Sequence, residues 1–468
     1  MMDDGIETLG RGRIAHATMM ARLSDELRPM LALAGPVVVA ELGWMSMGIV
    51  DTILVGHLGA EATGAVGLGT NLYMASAIFG MGLLLGLDAM VSQEHGAGRD
   101  DEARRSLAQG VILAVGLTPL LMLLVYGVVL LLPGWGINRT VLRETIPYLW
   151  AIAWGTGPLM LYAAFRRFLQ GVDRVRPITF ALVSANLINA GANWVLINGH
   201  WGAPRMGVTG SGWATTLARV YLALVLILAF AWYRRSEPVI EPRPRLLPRF
   251  EPARMRRLLA LGWPAALQVT MEVGVFATAT ALAGKLAPSD LAAHQITLNV
   301  SSLTFMVPLG VASAGAVRVG QALGRQDPRG AAASGWMAIL IGLAFMACSG
   351  LALLVYSRPI ILLFTRDPLA TAASIRLFYL AAAFQLFDGV QVVATGVLRG
   401  AGNTRSPMLT NLVAHWGIGL PIGYTLGFVM GYGIVGLWAG LSIGLVVAGL
   451  ANLSTWARTA RLIAGPAA

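Results

Sequence analysis

The chain has 468 residues, 56% of them hydrophobic and only 12% charged, with 34 Lys and Arg against 23 Asp and Glu and a formal net charge of +11. About a quarter of the residues of a soluble domain are charged, so this composition, with a mean hydropathy of +0.68, excludes a soluble globule and points to a lipid bilayer. The single lysine, Lys285, and the single cysteine, Cys348, exclude a Walker-type nucleotide loop, an intramolecular disulfide and a Cys-based metal cluster.

Residues 1–28 carry Arg11, Arg13, Arg22 and Arg28 with no separate apolar stretch, and read as a cytoplasmic segment without a cleavable signal peptide. Apolar runs long enough to span, about 20 residues each, follow. They lie near 30–55, 63–88, 106–132, 147–169, 177–199, 208–232, 257–284, 291–317, 332–356, 373–398, 407–430 and 434–457. The runs are continuous rather than alternating, so the expectation is an all-α membrane protein with twelve transmembrane helices, not a barrel. Six spans form an N-lobe, 29–232, and six a C-lobe, 257–457, before a cytoplasmic tail at 458–468. Between the lobes, 233–256 contains Pro238, Pro242, Pro244, Pro248 and Pro252 among arginines, the composition of an extended cytoplasmic linker.

The two halves are copies of each other. Leu31-Ala32-Leu33 and Pro36 recur 228 positions later as Leu259-Ala260-Leu261 and Pro264, and the same offset pairs Asn71 with Asn299, Gly82 with Gly310, Gln93 with Gln321 and Gly96 with Gly324. Six spans return the chain to its starting face, so the halves share one orientation and are related by a pseudo-two-fold axis along the membrane normal. Duplicated halves of this kind enclose a site between them.

Charge placement sets the topology. With a cytoplasmic N-terminus, the inner segments hold 26 of the 34 Lys and Arg, the outer loops 7, and Arg219 lies within a span. This is the positive-inside pattern. The basic balance thus reports an inner-membrane protein with both termini cytoplasmic, not a nucleic-acid partner.

Acids inside the spans are the candidates for chemistry. A carboxylate at a helix centre costs about 2.5–3.5 kcal/mol on insertion scales, and such residues face a cavity or a partner. Glu41, Asp51, Glu272 and Asp388 are of this kind, and Asp88 lies at the inner end of the second run. Glu272 lies seven residues, nearly two turns, before Ala279, the counterpart of Asp51, so both acids are expected on equivalent faces directed to one cavity. Arg219 alone cannot neutralise four acids, and unpaired interior carboxylates readily exchange a proton or hold a small cation. His294 and His415 lack metal-ligand spacing and read as packing residues, as does Cys348. No catalytic triad or H-E-x-x-H pattern is present, and no cofactor or enzymatic activity is expected.

The stretch from Pro36 to Gly59 with its VDTILVGHLG ending, FLQGVDRVRP at 168–177, AAHQI at 292–296 and VQVVATGVLRGAGNTRSPM at 390–408 together resemble the MATE (multidrug and toxic-compound extrusion) transporters, in particular their NorM-like bacterial branch. The resemblance covers nearly all of 25–457. It implies two six-helix lobes that open alternately to the two sides, work as a monomer, and exchange Na⁺ or H⁺ for amphipathic organic cations. It also implies cation or proton coupling at Glu272, Asp388 and Asp51, with any bound Na⁺ held at Glu272 and Asp388. Asn189 and Asn193 of NLINAGAN are expected near Asp51, and with Asn299 and Glu41 they are expected to line the substrate cavity. Glu41 stands where many relatives have Gln. An alternative within the wider superfamily is a flippase for lipid-linked sugars, whose anionic head groups would call for cations lining the cavity.

Overall fold

A computed structural model describes residues 3–236 and 249–465, with side chains from Arg22 to Arg235 and from Arg249 to Gly465. Most of the expected linker, 237–248, lies outside the described residues, and its last residues are already helical. Among the described residues every regular element is helical. Helices α1 (Asp3–Gly56), α4 (Asp100–Leu131), α7 (Arg176–Asn198), α8 (Val208–Ser236), α9 (Pro252–Ala283), α10 (Pro288–Gly324), α11 (Pro328–Val355), α13 (Pro368–Gly400) and α16 (Gly433–Ala464) each supply one span. The second span is α2 (Ala60–Leu84) continued by α3 (Gly86–Gly96) after a turn at Leu85, and the short α12 (Ser357–Leu362) sits in a connection. This makes the chain a multi-pass membrane protein, with eleven described helices long and apolar enough to cross.

The fourth expected span is the twelfth crossing, and it is broken. It consists of α5 (Arg139–Ala153) and α6 (Thr156–Gly171), neither long enough to span alone. Pro158 has no N–H for the Trp154 carbonyl, and the Gly155 N–H turns instead to Ile152 O at 3.0 Å. In an apolar interior, carbonyls loosened by such a break need other donors. Helix α8 provides them. Thr216 Oγ1 donates to Ala151 O at 2.7 Å and Arg219 Nη1 to Ile152 O at 3.3 Å, while the Arg219 guanidinium lies 4.5 Å from the centre of the Tyr73 ring. The one arginine read as lying clearly within a span is therefore tied to mending a helix.

The eleventh span also departs from α geometry. Between α14 (Arg405–Asn411) and α15 (Leu420–Tyr424) the chain winds as π-helix over Leu412–Gly419, and again over Thr425–Val429. The wider turn gives room to the ring of Pro421, which would clash with the carbonyl four residues back in a regular helix.

Helix ends repeat the duplication seen in sequence. Ala60 and Gly96 bound the second span, Pro288 and Gly324 the eighth, and Asp100 and Pro328 open the next ones, all 228 apart. The chain folds into two compact units, one of Met1–Val38, Ser92–Gly98 and Leu267–Ala468, the other of Val39–Val91 and Arg99–Ala266. The second unit is cored by Tyr73, Tyr148, Tyr162 and Phe168, the first by Phe378, Phe384 and Trp438.

Small residues set the packing distances inside the first unit. Gly396 and Gly400, one turn apart on α13, lie against the carbonyls of Ala312 and Ala316, one turn apart on α10, where any side chain would collide with backbone. A second contact is reciprocal: Gly96 lies on the backbone of Gln321, and Gly324 on that of Gln93. Near it, Glu26 of α1 accepts two bonds from Arg318 Nη2, at 2.8 and 2.9 Å, and one from its Nε at 3.2 Å.

Cys348 corrects one expectation, since it is exposed rather than buried. It shares the outward face of α11 with Leu351 and Val355, and on a membrane helix that face is an apolar setting that suits a thiol as well as a core does.

Candidate ion and substrate sites

In the second compact unit the site grows from two helical repeats. Asn189 and Asn193 are four residues apart on α7, and Ser211 and Thr215 four apart on α8, so each pair lies on one face. Both faces meet Asp51, which the last turns of α1 carry into the buried interior. Asn193 Nδ2 donates to Asp51 Oδ1 at 2.7 Å, and Thr215 Oγ1 to Asp51 Oδ2 at 2.9 Å. Asn189 also lies within reach of this carboxylate, and Asn189 Oδ1, Asn193 Oδ1 and, one turn before Thr215, Ser211 Oγ are buried without a hydrogen-bond partner. Unsatisfied oxygens on the helix faces that meet an acid are poorly suited to a dry core and well suited to a small cation or ordered water.

In the first unit Glu272 on α9 and Asp388 on α13 lie within electrostatic reach of each other. Gln268, one turn before Glu272, donates to Glu272 Oε2 at 3.4 Å. Helix α13 presents Gln385, Asp388 and Gln391 at successive intervals of three. Gln391 lies beside Glu272 and donates through Nε2 to Asn411 Oδ1 at 3.2 Å, and Gln385 Nε2 donates to Thr304 Oγ1 at 3.0 Å. Here too buried polar atoms are left over: Gln385 Oε1, Gln391 Oε1, Asn411 Nδ2 and Ser301 Oγ. Neither acid has a cationic partner among the described residues. Asn299 is exposed and makes no hydrogen bond to either acid among the described contacts.

Glu41 is not a free acid. It is buried in an ion pair with Arg166 of α6, itself buried, and Asp88 is paired with the adjacent Arg167, Nη1 to Oδ2 at 3.6 Å. The expectation of a single cation inside the spans fails because Arg166, near the end of the fourth expected run, is buried in the packed interior. The pair is flanked by aromatic rings: Arg166 lies 6.0 Å from the centre of Tyr162, and Trp44 stacks on Tyr162 at 6.0 Å.

Both histidines are packing residues. Trp438 Nε1 donates to His294 Nδ1 at 3.0 Å. An indole N–H only donates, so His294 is neutral with its proton on Nε2, directed to Thr280 Oγ1 at 2.8 Å. His415 is buried on the first π-helical turn. Among the described residues no three of His, Cys, Asp or Glu converge as a metal cluster. Sequence reasoning missed Thr215, Ser211, Gln268 and Gln391. For Gln268 and Gln391 the signal available was their spacing of four and three residues from Glu272 and Asp388 along one helix; Thr215 and Ser211, on a different helix from Asp51 and the asparagines, carried none.

Comparison with known proteins places this arrangement. The MatE family matches residues 36–195 and 264–425. A "Probable multidrug resistance protein NorM" from Mesorhizobium japonicum is 36% identical over 451 residues, 94% of this chain and 95% of that protein. A "Multidrug resistance protein MdtK" from Pectobacterium atrosepticum is 36% identical over 441 residues, 92% and 94% of the two. Among solved structures, the eukaryotic MATE transporter AtDTX14 superposes with a TM-score of 0.84 at 19% identity, over 96% of this chain and all of that one. An outward-facing multidrug resistance MATE transporter gives a TM-score of 0.84 at 17% identity, over 94% and 96% of the two chains. The two matched segments fall on the two halves of the duplication, and the chain belongs to the MatE family of membrane transporters.

Proposed function

We propose that this protein is a secondary multidrug antiporter of the cytoplasmic (inner) membrane, exporting amphipathic organic cations in exchange for Na⁺ or H⁺. The observation that carries the reading is the placement of Glu272 and Asp388 inside membrane spans, close to each other, without a cation and among unsatisfied amides. Such a pair is costly when empty and is stabilised by whichever cation or proton enters it. The names of the relatives, multidrug resistance proteins at 36% identity, point to the same cargo. An ion bound from outside and a drug bound from inside compete for these carboxylates, so loading one favours release of the other. Asp51 with Asn189, Asn193 and Thr215 forms a second coupling site, and no resident cofactor takes part. Drug uptake into inverted vesicles, with Na⁺ and H⁺ gradients imposed separately, tests the reading and identifies the ion. Uptake driven by neither gradient would overturn it.

The second coupling site has its own expected result. A hydrogen bond to a charged group contributes about 1.5–3 kcal/mol, so Thr215→Val, which keeps shape and removes the donor to Asp51, is expected to shift the ion concentration for half-maximal transport by roughly ten-fold or more. The measurement is the ion dependence of efflux, with unchanged thermal stability as the control.

Topology follows from the Arg asymmetry. With both termini and the 233–256 linker cytoplasmic, a cysteine replacing Ser236 in a Cys348→Ser background is expected to react with an impermeant maleimide in inverted vesicles and not in intact cells. Labelling in intact cells would reverse the orientation.

A further inference from the structure

The connection from α7 to α8, residues 199–207, holds Trp201 in a conformation that a bulky residue rarely adopts, φ 56° and ψ 28°. The loop already uses Gly199, Gly202 and Gly207 at positive φ, and glycine would suit position 201 without penalty. An indole is kept there instead, and at 87% exposure it is the most exposed large apolar side chain described.

The surrounding bonds explain how the strained residue is held. The His200 ring stacks on Trp194 at 3.8 Å, and its Nδ1–H donates to the Trp194 carbonyl at 2.9 Å. Ala203 N–H donates to His200 O at 3.1 Å, and Met206 N–H to Leu196 O at 2.9 Å. Asn198 Oδ1, at the end of α7, is bonded to His57 Nε2 at 3.2 Å. Trp201 meets Trp194 edge to face at 5.7 Å, and the rest of its ring points away from the protein. Backbone strain maintained by so many bonds marks a constraint beyond folding. A side chain displayed outward under strain has its partner outside the chain.

The place of the loop identifies the partner. Trp201 comes three residues after the last residue of a membrane-crossing helix, which is the level where acyl chains give way to headgroups. An indole, apolar in body and with one N–H donor, suits that boundary. We propose that the 199–207 loop is a bilayer anchor, with the Trp201 ring among the first acyl carbons and its N–H toward headgroup oxygens. It fixes the depth of the end of α7, the helix that carries Asn189 and Asn193.

The test uses the full-length protein labelled with fluorotryptophan in vesicles of phosphatidylethanolamine and phosphatidylglycerol. The ¹⁹F line missing in Trp201→Phe is that of Trp201, and should that variant fail to fold, Trp201→Gly, which the positive φ favours, gives the same assignment. The expected result is strong broadening of this line by a lipid bearing a nitroxide near its carbonyl carbons, and little by a water-soluble gadolinium chelate. Broadening by the chelate as large as that by the lipid means that the indole lies in water. Broadening by neither, with a line position that follows the protein-to-lipid ratio, means that a second copy covers it. Either outcome overturns the anchor.

Discussion

Glu272→Gln and Asp388→Asn are each expected to reduce ion-driven efflux to the background of protein-free vesicles while leaving the protein inserted and folded. The two halves of this result have one cause. A carboxylate near the middle of a span costs about 2.5–3.5 kcal/mol on insertion scales, and no cation among the described residues offsets that cost for either acid. The isosteric amide relieves it, at position 272 keeps the hydrogen-bonding reach toward Gln268 and Gln391, and holds the fold at least as well. It cannot bind a cation or exchange a proton, so the gradient no longer has a group to act on. Thermal unfolding in detergent and uptake by inverted vesicles should therefore move in opposite directions, or stability stay level while uptake vanishes. Uptake near the wild-type rate in either variant would remove that residue from the coupling.

The second large effect has the opposite sign for stability. Glu41 and Arg166 are both buried and paired, and removing one partner of such a pair typically costs about 3–5 kcal/mol, because a buried charge is left alone. Glu41→Gln is thus expected to lower the unfolding midpoint markedly. The double change Glu41→Leu with Arg166→Met replaces the pair by apolar groups of similar reach and is expected to recover most of the loss, since such exchanges are often neutral or stabilising. A double variant no more stable than Glu41→Gln would show that the pair is not what the single change breaks.

The contrast between Glu41 and the pair Glu272 and Asp388 shows how far the sequence could be read. Membrane class, the number and order of crossings, the duplication and the candidate status of Asp51, Glu272 and Asp388 rest on period, length and the rarity of acids in lipid, and all of these are local properties of the chain. The fate of Glu41 depended on Arg166, which lies so close to the inner end of its run that it counts as an inner-face charge until packing carries it inward. Thr215 and Ser211 were invisible for another reason. Hydroxyl residues are common in membrane helices, and only the rotation of α8 against α7 decides which of them meets Asp51. The break in the fourth span and the π-helical winding of the eleventh arise at Pro158 and Pro421, single residues inside runs whose average hydropathy shows no interruption.

The contact in which Gly96 lies on Gln321 and Gly324 on Gln93 binds the two halves of the gene to a common history. Under the 228-residue repeat each partner is the copy of the other, so one surface patch meets its own duplicate, as in an isologous dimer. Elsewhere the copies have drifted, as with Gly80 and Pro308. Here neither copy can gain a side chain without meeting the backbone of the other, so a mutation in one half cannot be relieved by a change confined to that half. What both glycines permit is self-recognition within a single chain.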